Sequence, residues 1–195
     1  DRAFTLEFSE IDLTNWESNS NDELISSHWP IHAWQPRATR LANLSITDSE
    51  RDQINKTVDT LVRLNEILTQ AQLQLAYRSR DEIALFVLHA NDLLSSFVTR
   101  DGNSVSPLDL AVQMKVLPRI AGGSGAIRKL VLELLGWSWR GSIFKEEDDA
   151  KPLIAEWSES RKPQFLSTAE FPRTCARLCL MWERIRHEGY TSYWL

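Results

Sequence analysis

The chain has 195 residues, a formal net charge of −5, 43% hydrophobic residues and 25% charged ones. That size and balance allow a sizeable core, as one large domain or two small ones, and the acidic surplus argues against a surface built mainly to neutralise a phosphate backbone. No apolar run reaches the roughly 18 residues of a bilayer-crossing helix, and the first residues lack the basic-then-apolar order of a signal peptide, so a cytoplasmic protein with no membrane partner is expected.

In chain order, Ala3 to Phe8 alternates like a half-buried strand with no partner strand soon after it. A lone strand cannot bury its face or satisfy its edges, so the chain is expected to be the C-terminal piece of a longer protein whose sheet lies upstream. Residues 9–47 are rich in Ser, Asn, Asp, Pro and Trp without a sustained period. They predict a long irregular connection, with Trp16, Trp29 and Trp34 as apolar pegs that pin it to the body. The chain thus divides into 1–47, a strand remnant with its connection, and 48–195, a helical domain.

A long helix is predicted from Asp48 or Ser49, carrying Ile54, Val58, Leu61, Leu64, Leu68, Ala71 and Leu75 at spacings of three and four, with Glu50 and Asp52 in its first turn. A second helix starts near Ser79 and runs to about Phe97. It is apolar nearly all round and therefore central to a bundle. Ser79 with Glu82 three residues later reads as a capping box, which sets Arg78 just outside this helix and Arg80 within its first turn. A third helix opens at Ser106-Pro107, a cap followed by proline at the first position, and Pro118 bends it or marks its last turn. The cluster Gly122-Gly123-Ser124-Gly125 breaks the chain before a fourth helix from Ala126 to Leu135, for which Gly136 is the expected stop. The acidic run Glu146 to Asp149 reads as a solvated helix start. Further helices are predicted at about 147–158 and 168–188, the last stopped by Gly189. The fold class is all-α, a helical bundle with one short N-terminal strand and a long irregular connection.

Self-contained chemistry is hard to find in these residues. The Gly122–Gly125 cluster lacks the Gly-Lys-Ser/Thr ending of a Walker A loop and follows a helix rather than a strand, so it reads as a helix-helix connection more than a phosphate cradle. Ser95 and Ser96 lie near His89 and Asp92, but residues this local on one helix point in different directions, and His89 reads as a core histidine. Asp81 and Glu82 diverge by about 100 degrees on a helix and cannot share a substrate. Cys175 and Cys179 share a helix face and read as reduced, small core residues. The histidines show no metal-ligand spacing near them, so no metal site is expected.

Three separated patches resemble one family. "DRAFTLEFSEIDL" (1–13) resembles the last core strand of the AAA+ ATPase module in the McrB-like branch of restriction systems, where an Asp-Arg-Ala segment precedes a Thr-x-Glu-Phe strand. "LAYRSRDEIALFV" (75–87) with "LDLAVQMKVLPRIAGG" (108–123) looks like the helical lid of that branch. "FPRTCARLCLMWERIRHEGYTSYW" (171–194) is similar to its C-terminal helix and Gly-aromatic-Thr-Ser-aromatic-Trp tail. Walker A, Walker B and sensor 1 are not in this chain, so the resemblance implies a lid portion that is catalytically incomplete alone. ATP or GTP with Mg2+ is then expected only in the intact protein.

The resemblance also implies roles for two arginines. Arg2 matches the arginine that can reach a neighbouring subunit's γ-phosphate, a trans arginine finger, where a guanidinium neutralises charge that builds up in phosphoryl transfer. Arg78 matches the sensor 2 arginine, which bends over the nucleotide phosphates from its own subunit. Each has a plainer alternative: Arg2 as a surface arginine on a strand edge, Arg78 as a helix residue paired with Glu82 four positions on. Arg119 and Arg128 are weaker candidates. The implied partners are the upstream ATPase core, neighbouring subunits of a ring, a McrC-like nuclease subunit and, through these, DNA. The competing reading is a standalone helical protein-protein interaction module without a nucleotide role. A DNA-binding helical domain is a third reading, weakened by the acidic balance and the lack of a basic recognition helix.

Overall fold

The protein is described by a computed structural model over residues 4–5, 41, 46–93, 104–161, 166 and 168–194. Among them are six helices: α1 (Asp48–Thr69), α2 (Tyr77–Leu93), α3 (Pro107–Lys115), α4 (Gly125–Arg140), α5 (Lys151–Ser160) and α6 (Pro172–Glu188). The all-α reading holds. One small sheet accompanies the helices, pairing β1 (Ala121–Gly122) antiparallel with β2 (Thr191–Ser192), in register Ala121 with Ser192 and Gly122 with Thr191. Of the predicted N-terminal strand, only Phe4 and Thr5 fall among the described residues. Neither is in a strand, although the Thr5 N–H donates to the Met114 carbonyl at 3.2 Å. The tryptophan pegs and the predicted second-helix end at Phe97 lie outside the described residues.

The α1 start is specified locally. Thr47 caps it: its hydroxyl accepts from the Glu50 N–H, and the Glu50 carboxylate accepts from the Thr47 N–H at 2.7 Å, so two donors that a helix start leaves unpaired are satisfied. The helix stops at Thr69, earlier than the apolar period suggests. Gln72 takes a left-handed φ of 58°, and the Asn65 side-chain oxygen accepts from the Leu75 N–H at 2.5 Å. Ala71, Leu73 and Leu75 still pack against the core from this irregular turn. Burial therefore kept the helical spacing beyond the point where the backbone had left the helix.

Further predicted boundaries move, among them the start of the helix expected at about 147, which begins at Lys151. α2 begins at Tyr77, with the Arg80 N–H donating to the Ala76 carbonyl at 3.1 Å, so Ser79 lies inside the helix and Arg78 belongs to its first turn. α4 runs through Gly136 to Arg140 and ends at Gly141, whose φ is 62°. Gly136 is glycine because of a close approach: a Cβ there would stand 2.7 Å from both the Ser142 carbonyl oxygen and the Phe144 nitrogen. α6 begins at Pro172, after the predicted 168, and stops at Gly189 as expected. The acidic run forms a short 3-10 turn, Glu147–Ala150, with Asp149 accepting from the Glu146 and Lys145 N–H groups ahead of α5. These bonds hold the Asp149 carboxyl below the ordinary carboxylate range.

The core lies between α4 and α6, joined by α1 and by the α2–α3 pair. Trp137 of α4 stacks on Phe171 with ring centroids 4.5 Å apart, and Trp182 of α6 is buried with Leu134, Leu135 and Leu153. Cys175 and Cys179 are free and buried, as read from the sequence. The hydrogen bond with Cys175, and then burial, push the Cys179 thiol well above the usual range. The Cys179 thiol is therefore protonated at neutral pH, and both cysteines act as small core residues. Among the described residues, no helix is long and apolar enough to cross a membrane.

Candidate functional site

The first turn of α2 carries Tyr77, Arg78 and Arg80 and no acid. Cations are disfavoured at this positive end of a helix dipole, so compensation has to come from elsewhere. For Arg80 it comes from the next residue, with Nε 2.8 Å and Nη2 2.6 Å from Asp81 Oδ1, and its guanidinium also lies 5.2 Å from the Tyr77 ring centre. For Arg78 it comes one turn on, where Nε donates to Glu82 Oε1 at 2.7 Å. The plainer sequence alternative for Arg78, a pair with Glu82, is therefore present. It accounts for only one of the five N–H donors of the guanidinium, and the Arg78 side chain is 65% exposed.

Glu82 does more than an exposed partner would. Its other oxygen, Oε2, stands 2.7 Å from the Lys115 ammonium at the end of α3, and Lys115 is 2% exposed. That ammonium also lies 4.8 Å from the centre of the Phe4 ring, which stacks on Phe86 of α2 at 5.2 Å. Burial pushes the Glu82 carboxyl upward, but the hydrogen bonds and charges of Lys115 and Arg78 outweigh burial and hold it below the ordinary value. One carboxylate thus joins a buried cation to an exposed one.

At the other end of α3, Asp109 is 1% exposed. Its carboxylate accepts from the backbone N–H groups of Arg173 (2.8 Å) and Thr174 (2.9 Å) in the first turn of α6, whose own N-cap, Phe171, supplies no side-chain cap. Asp109 therefore caps a helix 60-odd residues away. Burial raises its pKa against the opposing hydrogen bonds of Thr174 and Arg173.

The remaining sequence candidates are dispersed. Arg2, the candidate arginine finger, lies outside the described residues, as do Ser95 and Ser96. Arg119 donates to the Gln74 carbonyl at 3.3 Å. Arg128 pairs with Glu147 at 3.0 Å and lies 5.7 Å from the Trp182 ring centre. The Gly122–Gly125 cluster is pinned rather than open. Its first residue pairs with Thr191, Ser124 accepts from the Ile127 N–H to cap α4, and a Cβ on Gly123 would collide with the Gly189 carbonyl oxygen. A separate groove of ≈ 270 Å³ lies between the 3-10 turn, α5 and α6, with Ala150, Ile154, Ala155 and Trp182 against Lys151 and Arg186. It shares no residue with the Arg78 cluster.

Two members of this geometry escape sequence reading. Lys115 sits in the apolar run Met114-Lys115-Val116-Leu117, and a lysine flanked by core positions is the one available hint of burial. Asp109 reads as an ordinary first-turn acid, and nothing in its spacing points to α6.

The family described as "Domain of unknown function (DUF8727)" matches residues 30–190. The chain belongs to this family. Neither the curated proteins nor the solved structures yield a match. The DUF8727 region includes Arg78, Glu82, Asp109 and Lys115, and leaves Arg2 and the β2 strand outside its bounds.

Proposed function

We propose that this chain is the C-terminal lid portion of an AAA+ nucleoside triphosphatase of the McrB-like type. In that role it serves a cytoplasmic ring-forming motor coupled to a nuclease partner in defence against foreign DNA. The reading rests on the resemblance of the three sequence patches, and one structural observation supports it. Arg78, the residue matched to sensor 2, stands exposed on the first turn of a bundle helix with four N–H donors that make no hydrogen bond among the described residues. A guanidinium with unused donors suits planar recognition of phosphate oxygens. In this account Arg78 contacts the nucleotide phosphates from its own subunit, Arg2 reaches those of the neighbouring subunit, and the base and Mg2+ are held by residues upstream.

The test is the coding sequence that precedes Asp1. A strand followed by Gly-x-x-x-x-Gly-Lys-Ser/Thr is expected there, and the protein carrying it should hydrolyse ATP or GTP. In that protein, Arg2→Ala should lower turnover with near-normal binding. An initiator methionine directly before Asp1 would contradict the reading. The groove beside Trp182 favours the second reading, a helical interaction module without a nucleotide role, which expects no hydrolysis from any form of the protein.

A further inference from the structure

An exposed arginine paired with a glutamate one turn away is ordinarily a weak and mobile arrangement. The Arg78–Glu82 pair differs because Glu82 is itself held. Lys115 reaches Oε2 from α3 at 2.7 Å while Arg78 Nε contacts Oε1 at 2.7 Å. Lys115 in turn is enclosed, 2% exposed and stacked against Phe4. The guanidinium is therefore bonded at Nε to a carboxylate that is itself held by a buried cation, and its terminal nitrogens need not leave that carboxylate to meet a ligand.

We infer that Glu82, clamped by Lys115, is a positioning residue that holds Arg78 by Nε and keeps its remaining donors ready for the phosphate chain of a nucleotide. The inference rests on the reading of Arg78 as a phosphate contact. It adds that the contact is prearranged by a relay from the α3 end, Lys115 to Glu82 to Arg78. Elementary electrostatics points the other way, since an acid beside an anion site weakens it. The sign of the effect is therefore informative.

The experiment uses inorganic tripolyphosphate as the probe and the protein carrying all upstream coding sequence in three forms: wild type, Arg78→Ala, and the double variant Glu82→Met with Lys115→Met. The double variant removes one acid and one base, so net charge is unchanged, and replacing both members together leaves neither charge facing an apolar partner. Circular dichroism checks that it folds. Arg78→Ala should weaken tripolyphosphate binding. The double variant should weaken it by about two- to tenfold, the range expected when one long side chain must be ordered on binding. The side-chain Nε–H resonance of Arg78 gives a readout that a merely structural role would not move. In wild type it should be ordered and stay ordered when tripolyphosphate is added, and in the double variant it should be mobile.

If the double variant binds as wild type does while Arg78→Ala weakens binding, positioning by Glu82 is overturned and Arg78 stands as a phosphate contact. If Arg78→Ala binds as wild type does, the phosphate reading falls and takes the inference with it. Should the double variant fail to fold, the wild-type resonance still decides. Loss of its order on adding tripolyphosphate would mean that Arg78 leaves Glu82 to bind, which overturns the inference, and retained order supports it.

Discussion

Each end of α3 is tied to a neighbouring helix through a carboxylate, and the two ends differ in what remains after the tie is made. At the N-terminal end, Asp109 accepts from two backbone N–H groups of α6 in a closed site, so its interactions are consumed within the fold. At the C-terminal end, Glu82 joins buried Lys115 to Arg78, and most of the Arg78 guanidinium still faces outward with unused donors. Both carboxylates hold helices together. The second leaves a charged group facing outward, with donors that make no hydrogen bond among the described residues.

The comparison can be strained most severely at Glu82. Glu82→Ala removes the carboxylate that faces the enclosed Lys115 ammonium and should cost about 3 kcal/mol, the low end for such a loss because the other contacts of Lys115 persist, the Phe4 ring among them. Urea unfolding measures it, and an effect below about 1 kcal/mol would mean that the other contacts of Lys115, and not Glu82, hold its charge. Asp109→Ala comes next. Two α6 N–H groups lose their acceptor, and about 2 kcal/mol should go, by the same measurement.

The two carboxylates should also separate by pH. Glu82 has a folded pKa below its ordinary value, so its contribution is full above the ordinary carboxylate range of about pH 4 and is lost as pH falls through the folded value. Asp109 has a raised folded pKa, so its contribution is full below the ordinary value and is lost as pH rises through the folded one. Melting temperatures taken from about pH 3 to 7 should therefore show the penalty of Glu82→Gln growing with pH and that of Asp109→Asn shrinking. Parallel trends would break the comparison.

The smallest effect on stability belongs to the residue with the largest proposed role. Arg78 is exposed and its pair is solvated on one side, so Arg78→Ala should move the unfolding free energy by less than about 0.5 kcal/mol. A loss above about 2 kcal/mol would mark Arg78 as a structural residue like Asp109.

Much of the fold is legible in the sequence for identifiable reasons. Ser106-Pro107 and Gly189 carry local signals, a hydroxyl cap with proline and a left-handed stop, and both boundaries lie where they are expected. Errors occur where tertiary contacts override local patterns. Leu75 keeps helical spacing because it packs half-buried against the core, although the backbone has turned at Gln72. Gly136 resembles a stop and is instead a point of contact with the Ser142–Phe144 segment. Ser79 with Glu82 has the spacing of a capping box, but Glu82 is engaged by Arg78 and Lys115, and the helix has already begun at Tyr77. At the site, Arg78 and Glu82 could be paired from a separation of four. Lys115 could not be added, because its partner lies 33 residues earlier on another helix and only packing brings them together.

Equilibrium binding of ATP and GTP to the protein carrying all upstream coding sequence, with wild type and Arg78→Ala side by side, tests whether Arg78 contacts nucleotide phosphate. Wild type should bind at least one of the two, and Arg78→Ala should bind it about ten- to a hundredfold more weakly, the worth of a charge-assisted hydrogen bond to phosphate. Equal affinity in the two proteins, or no binding by either, would contradict it.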